Sequence, residues 1–258
     1  TTSREANQVF PLFIYPQAIS TATDQTSWLD TTPWPPDAAG RLPNFAPAFV
    51  AEVAARTGLR FLPSQTFEVS ETAKVSPSAA FTPEDLFGYI YAILHSPTYR
   101  SRYAGFLKID FPRVPITSDA ALFRRLAALG RELVGLHLLD TDAAPVLLKP
   151  ITRFPMAGDG LVEKGHPRFV EVLQRVYISA DNDKSGKQGQ YFDGVPQEVW
   201  AFQVGGYQPC QKWLKDRVGR RLSYDDLTHY ARVVVSLKET MRLMDEIDAA
   251  IPEWPLSI

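Results

Sequence analysis

Five cations, Lys212, Lys215, Arg217, Arg220 and Arg221, fall within ten residues and are opposed there by a single acid, Asp216. This stretch carries +4 on a chain of net charge −2, so the remaining 248 residues carry −6. Charge concentrated on a mildly acidic chain points to a placed basic face rather than a general affinity for polyanions. Just upstream, Gly205 and Gly206 let the backbone approach an anion closely, and a helix start near Gln208 offers N–H groups to it. Holding phosphate is the chemistry these residues suit. The competing reading is a strand-to-helix turn followed by a solvated amphipathic helix with Trp213 and Leu214 packed inward.

A second set is polar rather than basic. Asn182, Lys184, Ser185, Lys187, Gln188 and Gln190 carry side chains that match base edges, amides with adenine and ammonium groups with guanine. They sit in SADNDKSGKQGQ (179–190), between the strand-like runs FVEVLQRVYI (169–178) and YFDGVPQEVWAFQV (191–204). With Gly186 and Gly189 inside it, this linker reads as a long hairpin tip able to enter a groove, or else as a solubilising surface loop. Arg100, Arg102, Lys108 and Arg113 form a second candidate phosphate strip, with Glu84, Asp85 and Asp110 near enough in sequence to neutralise it.

The elements that must position these groups follow from pattern. Residues 8–15 read as a buried β-type run, followed by a loop with Pro33, Pro35, Pro36, Pro43 and Pro47. A short helix fits Ala46 to Thr57, closed by Gly58. Thr82-Pro83-Glu84-Asp85 is a helix start, with a cap, a proline at the first position and acids at the positive end of the dipole. Ser96-Pro97 repeats the signal for a second short helix to about Ala104. Asp119 opens a third helix whose leucines at 122, 126, 129, 133 and 136 form a buried seam. Ala144 to Val204 reads as strand-rich. Ser223 and Asp226 resemble a capping box for a final helix, where Leu227, Tyr230, Val234, Leu237, Met241 and Met244 step by three and four; at 1.5 Å per residue it spans roughly 40 Å. Its seam is expected to pack on the Leu122–Leu136 helix. The fold class is α+β, a helical part combined with a small mixed or antiparallel β region. Four subregions result: loop-rich α/β at 1–80, helical at 81–140, β-rich with the hairpin at 141–204, and the basic and long helices at 205–258.

Composition excludes several classes. At 45% hydrophobic and 22% charged the chain is globular, with 21 prolines concentrated in its first half. One cysteine, Cys210, rules out a disulfide framework and a multi-cysteine zinc site and suits an intracellular compartment; beside Pro209 it is expected to pack rather than react. Trp34 is expected to anchor its proline loop. No run is long and apolar enough for a membrane span, and the absence of an initiating Met suggests an excised piece. Phosphate-loop, dinucleotide and nucleophile-elbow spellings are all missing. His95, His137, His166 and His229 show no metal-ligand spacing, and none of the nine lysines has Asp or Glu two residues before it, as a common nuclease pattern requires. Thr-Pro-Trp-Pro-Pro-Asp (32–37) has the wrong order for the Asn-Pro-Pro-Tyr of adenine methyltransferases. No catalytic residues are expected.

Two segments, FGYIYAILHSPTYRSRYAGFLKIDFPRVPI (87–116) and YFDGVPQEVWAFQVGGYQPCQKWLKDRVGRRLSYDDLTHYARVVVSLKETMRLMDEID (191–248), resemble the C-terminal specificity region of large adenine-specific DNA methyltransferases. They are most similar to the single-polypeptide translocating restriction-modification enzymes called type ISP. NQVFPLFIYP (7–16) resembles the junction from their methyltransferase core into that region.

The resemblance implies a target recognition domain that reads duplex DNA, with the upstream methyltransferase domain of the same polypeptide as a second partner. S-adenosylmethionine, and ATP and Mg with a nuclease and translocase, belong to upstream domains; no cofactor or metal is expected in this chain. A prokaryotic cytoplasmic location follows from the same likeness. The rival expectation is a structural module coupling neighbouring domains, with only incidental DNA contact.

Overall fold

The computed structural model describes residues 11–15, 34–64, 79–180 and 188–256. In chain order the elements are β1 (Phe13–Ile14), β2 (Leu42–Pro43), α1 (Pro47–Thr57), β3 (Arg60–Phe61), β4 (Ala80–Phe81), α2 (Pro83–His95), α3 (Pro97–Arg102), α4 (Ala120–Leu138), β5 (Arg168–Val170), β6 (Arg175–Tyr177), β7 (Tyr191–Asp193), α5 (Gln197–Ala201), α6 (Pro209–Lys215) and α7 (Tyr224–Ala250). The class is α+β, as the pattern requires. The chain divides into two compact units, Thr1–Arg131 with Met244–Ile258, and Glu132–Leu243.

The first unit is mainly helical, with β1 antiparallel to β2 and β3 parallel to β4. Helix α1 ends at the left-handed Gly58. At the head of α2, Thr82 Oγ1 accepts from Asp85 N–H at 3.2 Å and the Asp85 carboxylate accepts from Thr82 N–H at 2.9 Å, a reciprocal cap. Ser96 Oγ starts α3 by accepting from Tyr99 N–H at 3.0 Å. Asp248, near the end of α7, accepts from Thr98 N–H (3.0 Å), Thr98 Oγ1 (2.7 Å) and Ser96 Oγ. Phe81, Leu86, Tyr89, Ile93, Phe123 and Leu126 are fully buried, each worth roughly 1.5–3 kcal/mol of transfer energy. Gly88 of α2 lies against Gly130 of α4: a Cβ on Gly130 would stand 1.8 Å from the Gly88 carbonyl oxygen, so this crossing admits no side chain.

In the second unit, β5, β6 and β7 form an antiparallel sheet in that order. Val162, Val176, Ile178, Phe192, Val199, Cys210, Leu214, Tyr230, Val234 and Leu237 share one core between sheet and helices. This corrects the expected docking of the α7 seam. Tyr230, Val234 and Leu237 face the sheet and α6, while α4 meets the adjoining face through Ser236 Oγ, which donates to the Leu136 carbonyl at 2.8 Å, and through His137 Nε2 and Thr240 Oγ1, 3.0 Å apart. A helix buried on two faces needs satisfied hydroxyls on the second, which no leucine count reveals.

The strand-rich expectation for 144–204 is also corrected. Pro145–Leu148 and Glu171–Leu173 are 3-10 turns, and Gln197–Ala201 is helical. FVEVLQRVYI is itself a hairpin, because Gln174 turns the chain at φ 49°, and Pro196 precedes a helical turn that buries Val199 and Trp200 together.

Candidate nucleic-acid interface

Val204 and Tyr207 exchange both backbone hydrogen bonds, at 2.8 and 3.0 Å, around Gly205 (φ 57°) and Gly206 (φ 82°). A two-residue turn with both central residues left-handed is the tight hairpin geometry for which glycine is preferred. A Cβ at either would meet nothing within 4 Å, so conformation rather than space demands glycine. The turn projects into solvent, with Val204 and Tyr207 exposed beside it.

Helix α6 follows, with Pro209 in its first turn. Cys210 and Leu214, four apart, enter the core, which directs Lys212 and Lys215 to solvent. After α6, Gly219 N–H bonds Val162 O at 2.8 Å, Val162 N–H bonds Arg220 O at 3.0 Å and Leu222 N–H bonds Gly160 O at 2.9 Å, fixing the backbone that carries Arg220 and Arg221.

The five cations do not share one role. Lys212 pairs with Asp216 through both carboxylate oxygens, and Lys215 donates to Gln211 Oε1 at 2.8 Å. Arg221 is 71% exposed, with Asp159 3.7 Å away. Arg220 is exposed and makes no ion pair with a described residue. Arg217 departs from the phosphate-binding expectation. Its guanidinium lies 3.4 Å from the centre of the Trp213 ring, donates to Trp213 O at 3.0 Å and reaches Asp226 at 3.4 Å, so it ties α6 to α7.

In the polar linker, Asn182, Lys184, Ser185 and Lys187 lie outside the described residues. Gln188 is exposed. Gln190 is a correction: at 2% exposure its Oε1 accepts from Gly160 N–H at 3.0 Å and its Nε2 donates to Met156 O at 3.3 Å. An amide spent on two backbone partners has nothing left for a base edge. The hairpin itself is present, since β6 and β7 pair with Tyr177 opposite Tyr191.

A face that sequence reasoning missed lies at the root of this hairpin. Register puts Phe169, Val176 and Phe192 in one row, and their inward burial leaves Arg168, Tyr177 and Tyr191 in the next row on the opposite face, with Arg175 and Asp193 beyond. Arg175 lies over the Tyr191 ring at 4.3 Å and bonds Asp193 at 2.8 Å; Arg153 bonds the same carboxylate at 3.1 Å. These arginines, the Arg175 hydrogen bond first, hold the Asp193 carboxyl below its usual range. The signal was present in the alternation of RFV, RVY and YFD, but the turn inside 169–178 hid the period.

In the other unit, Arg100, Arg102 and Lys108 are exposed, and Arg113, 93% exposed, has Asp110 3.6 Å away. Between them stand Phe106, Ile109 and Phe111, 70%, 81% and 69% exposed, beside a cleft of about 400 Å³ lined by Tyr99, Tyr103 and Pro115 among others. Trp34 packs on Phe61, ring centres 5.0 Å apart, in the loop-anchoring role expected of it. Burial pushes the Cys210 thiol up to about 12. Among the described residues no His, Cys, Asp or Glu cluster is placed to hold a metal, and no helix is long and apolar enough to cross a membrane.

The described residues thus form an α+β scaffold that presents a basic turn-helix and, at the root of the β6–β7 hairpin, a sheet face bearing arginines and tyrosines. Residues 1–246 match the Type ISP C-terminal specificity domain, and the chain belongs to that family. Solved structures share the fold. A cryoEM structure of the DrdV–DNA complex matches with 19% identity and a TM-score of 0.54 over 86% of this chain and 21% of that one. The ATP-dependent Type ISP restriction-modification enzyme LlaBIII bound to DNA matches with 14% identity and a TM-score of 0.51 over 84% and 12%. The chain thus spans about a fifth and an eighth of these relatives' lengths. No curated protein matches it.

Proposed function

We propose that this domain recognises a short duplex DNA target for a restriction-modification enzyme that methylates adenine, the catalytic steps belonging to other domains of the same polypeptide. Membership of a specificity-domain family carries the reading; the exposed Lys212, Lys215, Arg220 and Arg221 behind the Gly205-Gly206 turn support it from physics. These cations hold phosphates, and the 182–188 hairpin side chains meet base edges. S-adenosylmethionine, and ATP and Mg where a translocase is present, bind in those other domains.

The test is an anisotropy titration of the full polypeptide on duplex DNA across salt concentration. Log affinity falls linearly with log salt; binding that ignores salt overturns the reading. Replacing Lys212, Lys215 and Arg220 together flattens the slope on every sequence, whereas replacing Asn182 or Gln188 changes which sequence is preferred.

One observation favours a second role for the other unit. Phe106, Ile109 and Phe111 form an apolar ridge flanked by Arg100, Arg102 and Lys108, and a ridge of that kind suits an acid-rimmed apolar surface on a neighbouring domain of the same polypeptide. Ile109→Asp with Phe111→Asp then lowers the stability of the full enzyme without altering DNA affinity per folded molecule; unchanged stability removes this role.

A further inference from the structure

Beside the root of the hairpin the sheet forms a cleft of about 330 Å³, lined by His166, Arg168, Val170, Tyr177, Ser179 and Ala180. That volume lies at the lower end of small-ligand sites, which run from roughly 300 to 1,000 Å³. Among the described residues the lining contains an imidazole, a guanidinium, a phenol and a hydroxyl and no carboxylate of its own, the Glu163 carboxylate beside it accepting from Ala180 N–H at 2.9 Å. Two of its groups are unspent. Arg168 is exposed and makes no ion pair with a described residue, whereas its neighbours Arg153 and Arg175 are both locked on Asp193. His166 Nδ1 is buried without a hydrogen-bond partner, a state that a ligand or a change of protonation would relieve. Ser179 is 1% exposed, and its Oγ accepts from Gln190 N–H at 2.8 Å, which leaves the hydroxyl proton to donate.

The position is held firmly. Arg168 stands opposite Tyr177 across the β5–β6 ladder, and Phe169, next to it, stacks on Trp200 with ring centres 5.4 Å apart. Ser179 is tied through its hydroxyl to the first residue before β7. A cleft on a rigid sheet that combines hydroxyl and imidazole groups with a guanidinium making no ion pair with a described residue is complementary to an anion.

We propose that this cleft seats one phosphodiester group of the bound duplex, with Arg168 as its charged ligand and Ser179 and Tyr177 as hydrogen-bond donors, a phosphate contact at the root of the β6–β7 hairpin. The proposal rests on the DNA-recognition reading above and adds a contact separate from the α6 cations.

The experiment uses the full polypeptide, mixed-sequence duplexes and a series of duplexes each carrying one neutral methylphosphonate. Arg168→Gln reduces the salt slope by about one and weakens binding on every sequence alike. One methylphosphonate position that weakens the wild type has no further effect on R168Q, which identifies the phosphate. If R168Q keeps the wild-type slope and methylphosphonate profile while the wild type binds, the cleft holds no phosphate. Loss confined to one sequence with an unchanged slope assigns Arg168 to a base edge and overturns the proposal. Failure of the wild type to bind in a salt-dependent way defeats the broader reading and this one with it, and is distinguishable because it precedes any variant.

Discussion

The guanidinium carbon of Arg217 sits 3.4 Å from the centre of the Trp213 ring, one helical turn back in sequence, while its Nε faces Asp226 at 3.4 Å. The residue that looks like part of a phosphate-binding run is therefore a staple between α6 and α7. Arg217→Ala lowers stability by about 1–2 kcal/mol, the scale of a partly buried cation–π contact with an ion pair. In a urea titration its midpoint falls, while the salt slope of DNA binding at matched folded fraction stays near wild type. Lys212, Lys215 and Arg220 replaced together show the reverse.

Gln190 makes the same point from the polar side. Removing its amide in Gln190→Ala leaves Gly160 N–H and Met156 O unpaired in a buried place, at a cost of about 1–3 kcal/mol. DNA preference per folded molecule is unchanged. A switch in target sequence with unaltered stability would return Gln190 to the base-reading set.

Helix starts were the legible part of this sequence, because a cap is a local event: Thr82 with Asp85 and Ser223 with Asp226 each form the reciprocal bonds that their spacing implies. The strand region was less legible because its strands are three residues long; alternation over three positions cannot be separated from the apolar turns around it. The candidate site was half legible. Charge can be counted, yet whether Arg217 faces an aromatic ring or solvent is decided by which turn of α6 enters the core. No local pattern joins Arg168 and Arg175 in the sequence; only the pairing register of β5 and β6 shows that they share a face.

Cys210 is protected. Burial pushes its thiol up to about 12, so the thiolate is scarce at neutral pH. Native protein at pH 8 resists iodoacetamide and reacts only after unfolding, as mass spectrometry of pulse-labelled samples reads directly. Rapid native alkylation would mean that α6 opens readily from the core.

Acid sensitivity should come from two carboxylates. Asp226 is held below its usual range first by the Ser223 backbone N–H, then by the Ser223 hydroxyl and Arg217, with burial opposing them; Asp193 is held down first by Arg175, then by Arg153, again against burial. A carboxylate whose folded pKa is depressed adds stability that is complete above its unfolded value, near 3.9, and is lost as pH falls toward the lower folded value. The wild-type urea midpoint therefore drops below about pH 4. Asp226→Asn and Asp193→Asn lower the midpoint at pH 6, and the difference from wild type shrinks as pH falls below about 3.9 toward the lowered folded value, because protonation removes the same charge. If either variant runs parallel to wild type across that range, the corresponding carboxylate is not held down by its partners in the folded protein, and Arg175 in particular would be free to serve the sheet face as a DNA ligand.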